Sequence, residues 1–114
     1  TDDMDFIRRL YLDAMGVLPE PQEVRDFVLS KEPDKRAKLL DAVSAKPEFV
    51  DYWTYKWSDL LLVSSKKLAA RPELMAFYTY IRQSVAENKP WDQFTRDILT
   101  AQGNTLDNGA ANYY

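Results

Sequence analysis

The sequence contains no cysteine and no histidine. Cysteine thiolates and histidine imidazoles supply most zinc sites, a common form of haem ligation, and the bases and nucleophiles of Ser-His-Asp and Cys-His catalysis. All of these are excluded from this chain, which leaves carboxylate, hydroxyl, lysine and arginine chemistry. The lack of cysteine does not identify the redox compartment, because only a positive count discriminates.

Long hydrophobic runs and basic clusters are also missing. The longest purely apolar run, Leu60 to Val63, is far shorter than the ~20 residues that span a bilayer. The 15 basic residues are dispersed through a chain of net charge −3, so no basic patch is available for a phosphate backbone. We therefore predict no membrane span and no nucleic-acid partner.

The composition that is present belongs to a globular protein. Of the 114 residues, 46% are hydrophobic and 29% are charged, which is far from the composition of disordered chains. A chain of this length buries roughly two-thirds of its unfolded surface. We expect a folded unit with a real core. No targeting segment is visible, and the start at "TDDMDF" and the end at "AANYY" are typical of a domain cut from a longer chain.

Proline and glycine divide the sequence into short amphipathic segments. Gly16 and Pro19 end a first helix whose start is rich in aspartate, and Pro21 suits the first position of a second helix. Apolar residues recur at helical spacing on both sides of this corner. The stretch is therefore predicted to join two short helices.

The same punctuation predicts four more helices. A third opens at Pro33-Asp34 with Asp34 as its cap, a fourth runs from Pro47 to about Val63, a fifth begins at Pro72 after the polar residues 64–71, and a sixth begins at Trp91 and continues to Gly103. No segment alternates at period two. We predict an all-α fold, a single compact bundle of about six short helices in residues 1–103, followed by an irregular tail or link to a following domain in residues 104–114.

Candidate site residues are few. Asp13 and Asp59 lie beside apolar helical faces, so partial burial is expected for both, with helix capping or ion pairing favoured over acid-base catalysis. Trp53 and Trp57, four residues apart, are predicted to be core, whereas the tyrosines that lie off their stripe form a speculative surface: Tyr52, Tyr55 and Tyr80. The tail has oxygen ligands without regular spacing, which favours docking over cation binding. We predict no catalytic residue, metal or cofactor.

Four blocks of the sequence resemble a known family. They are "DFIRRLYLDAMGVLPEPQEVRDFV", "DKRAKLLDAVSAKPEFVDYWTYKWSDLL", "NKPWDQFTRDILTAQGNT" and "NGAANYY". In this order they resemble a secreted domain-of-unknown-function family that is found beside planctomycete-type cytochrome c (PSCyt) domains. The resemblance implies export to the periplasm, cell surface or medium, in a multidomain protein whose haem would belong to a neighbouring module. It supplies no catalytic residues, and residues 64–71 replace a longer insertion of many members.

Three functions follow as hypotheses. The first is a non-catalytic scaffold or interaction module whose partners are neighbouring domains of the same chain, without activity of its own. The second is a polysaccharide-binding or polysaccharide-processing accessory domain, suggested by the off-stripe tyrosines and by the resemblance. The third is a docking domain for a neighbouring haem module.

Overall fold

The computed structural model describes residues 2–63 and 71–114. Within these ranges it contains six α-helices and no strand, which confirms the predicted all-α class. The helices are α1 (Asp3–Met15), α2 (Pro21–Leu29), α3 (Lys35–Ser44), α4 (Pro47–Leu60), α5 (Arg71–Ala86) and α6 (Trp91–Leu99), followed by a 3-10 helix at Gly109–Tyr113. None of the described helices is long and apolar enough to cross a membrane. The predicted polar connection at 64–70 lies outside the described residues.

The predicted corner between α1 and α2 is confirmed by its glycine and proline geometry. The Asp2 carboxylate caps α1 by accepting the Asp5 N–H at 2.7 Å. Gly16 ends the helix with φ of 68° and donates its N–H to the Leu12 carbonyl, a left-handed geometry that glycine adopts at low cost. Pro21 then occupies the first turn of α2, where a missing N–H donor costs nothing.

Three helix boundaries differ from the prediction. Helix α4 ends at Leu60 rather than Val63, because Leu62 adopts φ of 57° and the Val63 N–H returns to the Ser58 carbonyl. Helix α6 ends at Leu99 rather than Gly103, and the Thr100 hydroxyl donates to the Arg96 carbonyl at its end. Helix α5 begins one residue earlier than predicted, with Pro72 in its first turn.

Asp34 stands at the N-cap position of α3, but its side chain accepts no N–H from the helix. The carboxylate instead lies 3.3 Å from the Lys38 ammonium, one turn further on. The predicted position of the cap is therefore right, while the predicted capping bond is replaced by an ion pair.

The chain divides into two compact units, Thr1–Tyr52 and Trp53–Tyr114. Each unit has its own cluster of buried side chains. In the first unit the cluster is Ile7, Tyr11, Met15, Phe27 and Val43. In the second unit it is Phe77, Ile81, Phe94, Ile98 and Ala110, against which the half-buried Trp57 packs.

The C-terminal tail is part of the second unit. Its 3-10 helix packs on α5 and buries Ala110 to 2% exposure. The Asn112 amide donates to the carbonyls of Thr105 and Gly109 at 2.7 and 3.1 Å, which holds the turn together. The tail is thus held by small and amide side chains and by the Tyr114 hydroxyl, which donates to the Leu99 carbonyl at 2.9 Å. A link to a following domain stays a prediction.

Candidate functional site

The two predicted carboxylates are exposed. Asp13 lies in α1 of the first unit and Asp59 in α4 of the second, and the expected partial burial is not observed for either. Neither forms an ion pair with another residue in the described ranges 2–63 and 71–114, so the expected pairing is not seen there.

The three predicted surface tyrosines differ in environment. Tyr55 is 66% exposed. Tyr52 is half-buried against the α1 corner, where a Cβ on Gly16 would lie 2.6 Å from the tyrosine ring. Tyr80 is half-buried, stacks on Phe94 at 5.4 Å and donates its hydroxyl to the Phe94 carbonyl at 3.3 Å. Only Tyr55 among them presents most of its ring to solvent.

A charged cluster in the first unit joins α1, α2 and the residue before α4. The Lys46 ammonium lies 2.7 Å from a Glu23 carboxylate oxygen. The Tyr11 hydroxyl donates to that same oxygen at 2.9 Å and accepts from Lys46 at 3.2 Å. Glu23 also accepts the N–H of Glu20 through its other oxygen, at 2.9 Å. The cluster thus ties two helices to the start of a third.

The electrostatics of this cluster favour fixed charges over proton transfer. The hydrogen bond from Lys46 lowers the pKa of Glu23, and the hydrogen bond to Glu23 raises the pKa of Lys46. Burial raises the pKa of Tyr11. At neutral pH the lysine stays protonated, the glutamate ionised and the phenol neutral, so the group offers neither a good base nor a nucleophile. We interpret it as a structural tie.

A second tie lies at the N-terminus of α1. Asp3 accepts from Lys35 at 2.6 Å and from the Arg36 guanidinium at 2.8 and 3.0 Å. The Lys35 hydrogen bond is the largest cause that lowers the pKa of Asp3. Lys35 also donates to the carbonyls of Phe27 and Ser30 at the end of α2. These bonds hold the start of α1 against the start of α3 and the end of α2.

Trp91 is the aromatic residue that sequence reasoning missed as a surface group. Its ring lies 4.2 Å from that of Trp57 and meets Phe94 edge-on at 5.2 Å, yet half of the side chain is exposed. The sequence predicted only that Trp91 begins the sixth helix. The missed signal was its position directly after Pro90, at the first residue of the helix, where fewer neighbours cover a large ring.

The described residues of each unit line a surface groove. One, of about 560 Å³, lies in the second unit between α5 and the tail, and its lining includes Met75, Thr79, Gln83, Asp107 and Asn108. The other, of about 460 Å³, lies in the first unit between α1 and α2; it is apolar apart from Arg25 and is lined by Met4, Pro21, Val24, Val28 and Leu29. The first combines hydrogen-bonding and apolar groups, as ligand sites commonly do.

The described residues contain no group of three or more acidic side chains placed to hold a metal ion. The oxygen-rich tail is engaged internally instead. Asn104 accepts the Leu106 N–H through its side chain at 2.9 Å, and Asn108 donates to the Gln102 carbonyl at 3.0 Å.

The whole chain, residues 1–114, matches the PSCyt2 family model, described as a protein of unknown function (DUF1549). No curated protein and no solved structure matches it. The chain therefore belongs to this family, and the resemblance inferred from the sequence blocks is confirmed. Because the description assigns no function, export, partners and role stay predictions.

Proposed function

We propose that this member of the PSCyt2 family is a non-catalytic interaction module of an exported multidomain protein, anchored on its partner by Trp91. The observation that carries the proposal is an indole that is half exposed and yet held by two other rings. Large apolar side chains left on a surface without a partner lose hydrophobic stabilisation. A partner that covers the exposed half of the ring would restore this stabilisation.

The packing of Trp91 prepares it for binding. Trp57 covers one part of the ring and Phe94 another, so little rotamer freedom remains to be lost when a partner covers the rest. Burying half of a tryptophan side chain removes on the order of 100 Å² of apolar surface, which is worth about 2 kcal/mol. This is the size of effect found at interface hot spots, where tryptophan is enriched.

Neighbouring side chains extend the face along α6. Trp91, Thr95 and Leu99 follow one another at spacings of four residues, which forms a ridge on a helix. Leu99 is exposed, and the Tyr114 hydroxyl donates to its carbonyl at 2.9 Å, which brings a second exposed ring to the end of the ridge. Tryptophan and tyrosine beside an aliphatic residue match the composition of interface centres. We call these residues the α6 ridge.

The partners proposed are neighbouring domains of the same protein, of which a haem module is one. A polysaccharide is the second candidate, favoured by the same observation, because an exposed rigid ring face can stack on the apolar face of a sugar. The two candidates differ in what else the surface must supply. A protein partner would cover the full ridge including Leu99, whereas a sugar needs only the ring and nearby hydrogen-bonding groups.

The experiment compares Trp91→Ala with Tyr55→Ala as a matched control, since Tyr55 is also an exposed ring of the second unit. Binding is measured by calorimetry against the separately produced flanking domains of the parent protein, and against soluble xylan and cellulose oligosaccharides. Loss of about 2 kcal/mol corresponds to roughly 30-fold weaker binding for Trp91→Ala, with no change for Tyr55→Ala. Binding only to oligosaccharides would select the second candidate. Equal effects of both variants, or no association with any probe, would overturn the proposal.

A further inference from the structure

The groove between α5 and the tail is a second candidate site, separate from the α6 ridge. From its lining we infer that it binds an extended peptide segment that carries one basic and one apolar side chain. No part of this inference uses Trp91, so it stands or falls independently of the proposed function.

The shape of the groove fits an extended chain. The α5 side chains that line it are Pro72, Met75, Ala76, Thr79, Tyr80 and Gln83, which follow a single face of the helix at spacings of three and four. From the first to the last of them the helix rises about 16 Å. At about 3.3 Å per residue, an extended segment of roughly five residues covers this length. The tail residues 106–109 form the opposite wall.

The polar groups of the groove are rich in open acceptors. The Gln83 amide donates to Glu87 at 2.8 Å and the Asn108 amide donates to the Gln102 carbonyl at 3.0 Å. Within the described residues, the carbonyl oxygens of these two side chains and the Thr79 hydroxyl have no hydrogen-bond partner. Carboxamide and hydroxyl oxygens accept hydrogen bonds from the backbone N–H groups of a peptide.

Charge and apolar surface define the side chains that such a peptide needs. Among the described residues that line the groove, Asp107 is the only charged one, and it forms no ion pair with another described residue. An unpaired carboxylate beside neutral acceptors favours lysine or arginine and disfavours an acidic ligand. Met75 and Leu106 are both more than half exposed in the groove wall and offer a contact for an apolar side chain. The Tyr80 ring is stacked on Phe94, so the groove lacks the open aromatic platform that would favour a sugar.

The test is a titration followed by ¹H–¹⁵N NMR of the whole chain. The probes are end-blocked pentapeptides, Leu-Ser-Ala-Lys-Ser and its reverse, the same peptides with glutamate in place of lysine, and cellotriose. We expect the lysine peptides to shift the side-chain amides of Gln83 and Asn108, with weaker binding of the glutamate peptides. Asp107→Asn should weaken binding of the lysine peptides by up to about fivefold, the upper end of the range for an exposed ion pair. Asp59→Asn, which changes an exposed carboxylate outside the groove, should leave peptide binding unchanged.

A steric variant keeps the test decisive. Thr79 is exposed, so Thr79→Phe can fill the groove without disturbing the core and should abolish binding of every peptide. The inference is overturned if the peptides shift residues elsewhere, if cellotriose shifts the groove residues and the peptides do not, or if Asp107→Asn and Asp59→Asn behave alike.

Discussion

Gly109 is the position at which one added methyl group should have the largest effect on the second unit. A Cβ built on Gly109 would lie 2.3 Å from the Ala76 carbonyl oxygen and 2.9 Å from both the Ala76 carbonyl carbon and the Tyr80 Cβ. The obstructing atoms belong to the α5 backbone or to the root of a side chain, so none can rotate away. Gly109→Ala must therefore lift the 3-10 helix from α5.

The expected cost follows from what the lifting disrupts. Overpacking in a dense region typically costs 1–3 kcal/mol, and a contact with backbone that cannot yield belongs at the upper end, at about 3 kcal/mol. Gly103→Ala is the matched control. Gly103 has φ of 100° but nothing within 4 Å of its Cβ position, so alanine there meets only the backbone penalty of about 1–2 kcal/mol. If backbone conformation alone set the cost of alanine, Gly103→Ala would lower the unfolding free energy more. Because steric contact dominates, Gly109→Ala should lower it more.

Urea unfolding monitored by far-UV circular dichroism measures both costs, and hydrogen exchange locates them. Gly109→Ala should lose protection through the tail, including the Asn108 N–H that bonds to the Asn104 carbonyl and the Ala111 N–H that bonds to the Asn108 carbonyl. If Gly109→Ala lowered the unfolding free energy by less than Gly103→Ala does, or if exchange in the tail were unchanged, the close packing of the tail on α5 would be refuted.

Two further predictions concern the first unit. Gly16→Ala should lower the unfolding free energy by about 1–2 kcal/mol because Gly16 has a positive φ, and by more because the new Cβ would lie 2.6 Å from the Tyr52 ring. In a Tyr52→Ala background the ring is absent, so Gly16→Ala should cost less. An unchanged cost in that background would contradict the contact with the ring. The lowered pKa of Glu23 means that its ion pair stabilises the fold above the ordinary glutamate pKa and that this stabilisation is lost as pH falls through the lower folded-state value. Glu23→Gln should therefore be less stable than the natural chain by up to about 1 kcal/mol at pH 7, with the difference in urea titrations shrinking as pH falls below the ordinary glutamate pKa; a difference that does not shrink with falling pH would contradict the ionic origin.

The proline and glycine residues at helix ends made most of the fold predictable. Gly16 and Pro21 impose local backbone constraints that hold in almost any context, and the helices that they bound form where expected. The predicted end of α4 at Val63 was wrong because Leu62 takes a left-handed conformation, which the residue type does not predict. Whether the tail is ordered could not be predicted from the sequence, because Gly109 and Ala110 pack through their small size and leave no apolar periodicity to detect.

The candidate sites were less predictable than the helices. Tyr11, Glu23 and Lys46 are 12 and 23 positions apart along the chain, and only the packing of separate helices brings them together. Trp91 is half exposed because few side chains cover a ring at the first residue of α6. The apolar periodicity of α6 alone does not predict this exposure. Asp13 and Asp59 illustrate the converse, since apolar neighbours in sequence did not bring burial.

The tail connects the two candidate sites of the second unit, because residues 106–109 form one wall of the groove and Tyr114 reaches the end of the α6 ridge. The Trp57–Trp91 contact involves no tail residue. Displacement of the 3-10 helix by Gly109→Ala should therefore abolish peptide binding in the groove and remove Tyr114 from the ridge while the indole pair stays in place. Binding that depends on Trp91 would then weaken only partly in this variant. Peptide binding in the groove should therefore be more sensitive to Gly109→Ala than binding at the α6 ridge, because the tail forms one wall of the groove but only extends the ridge.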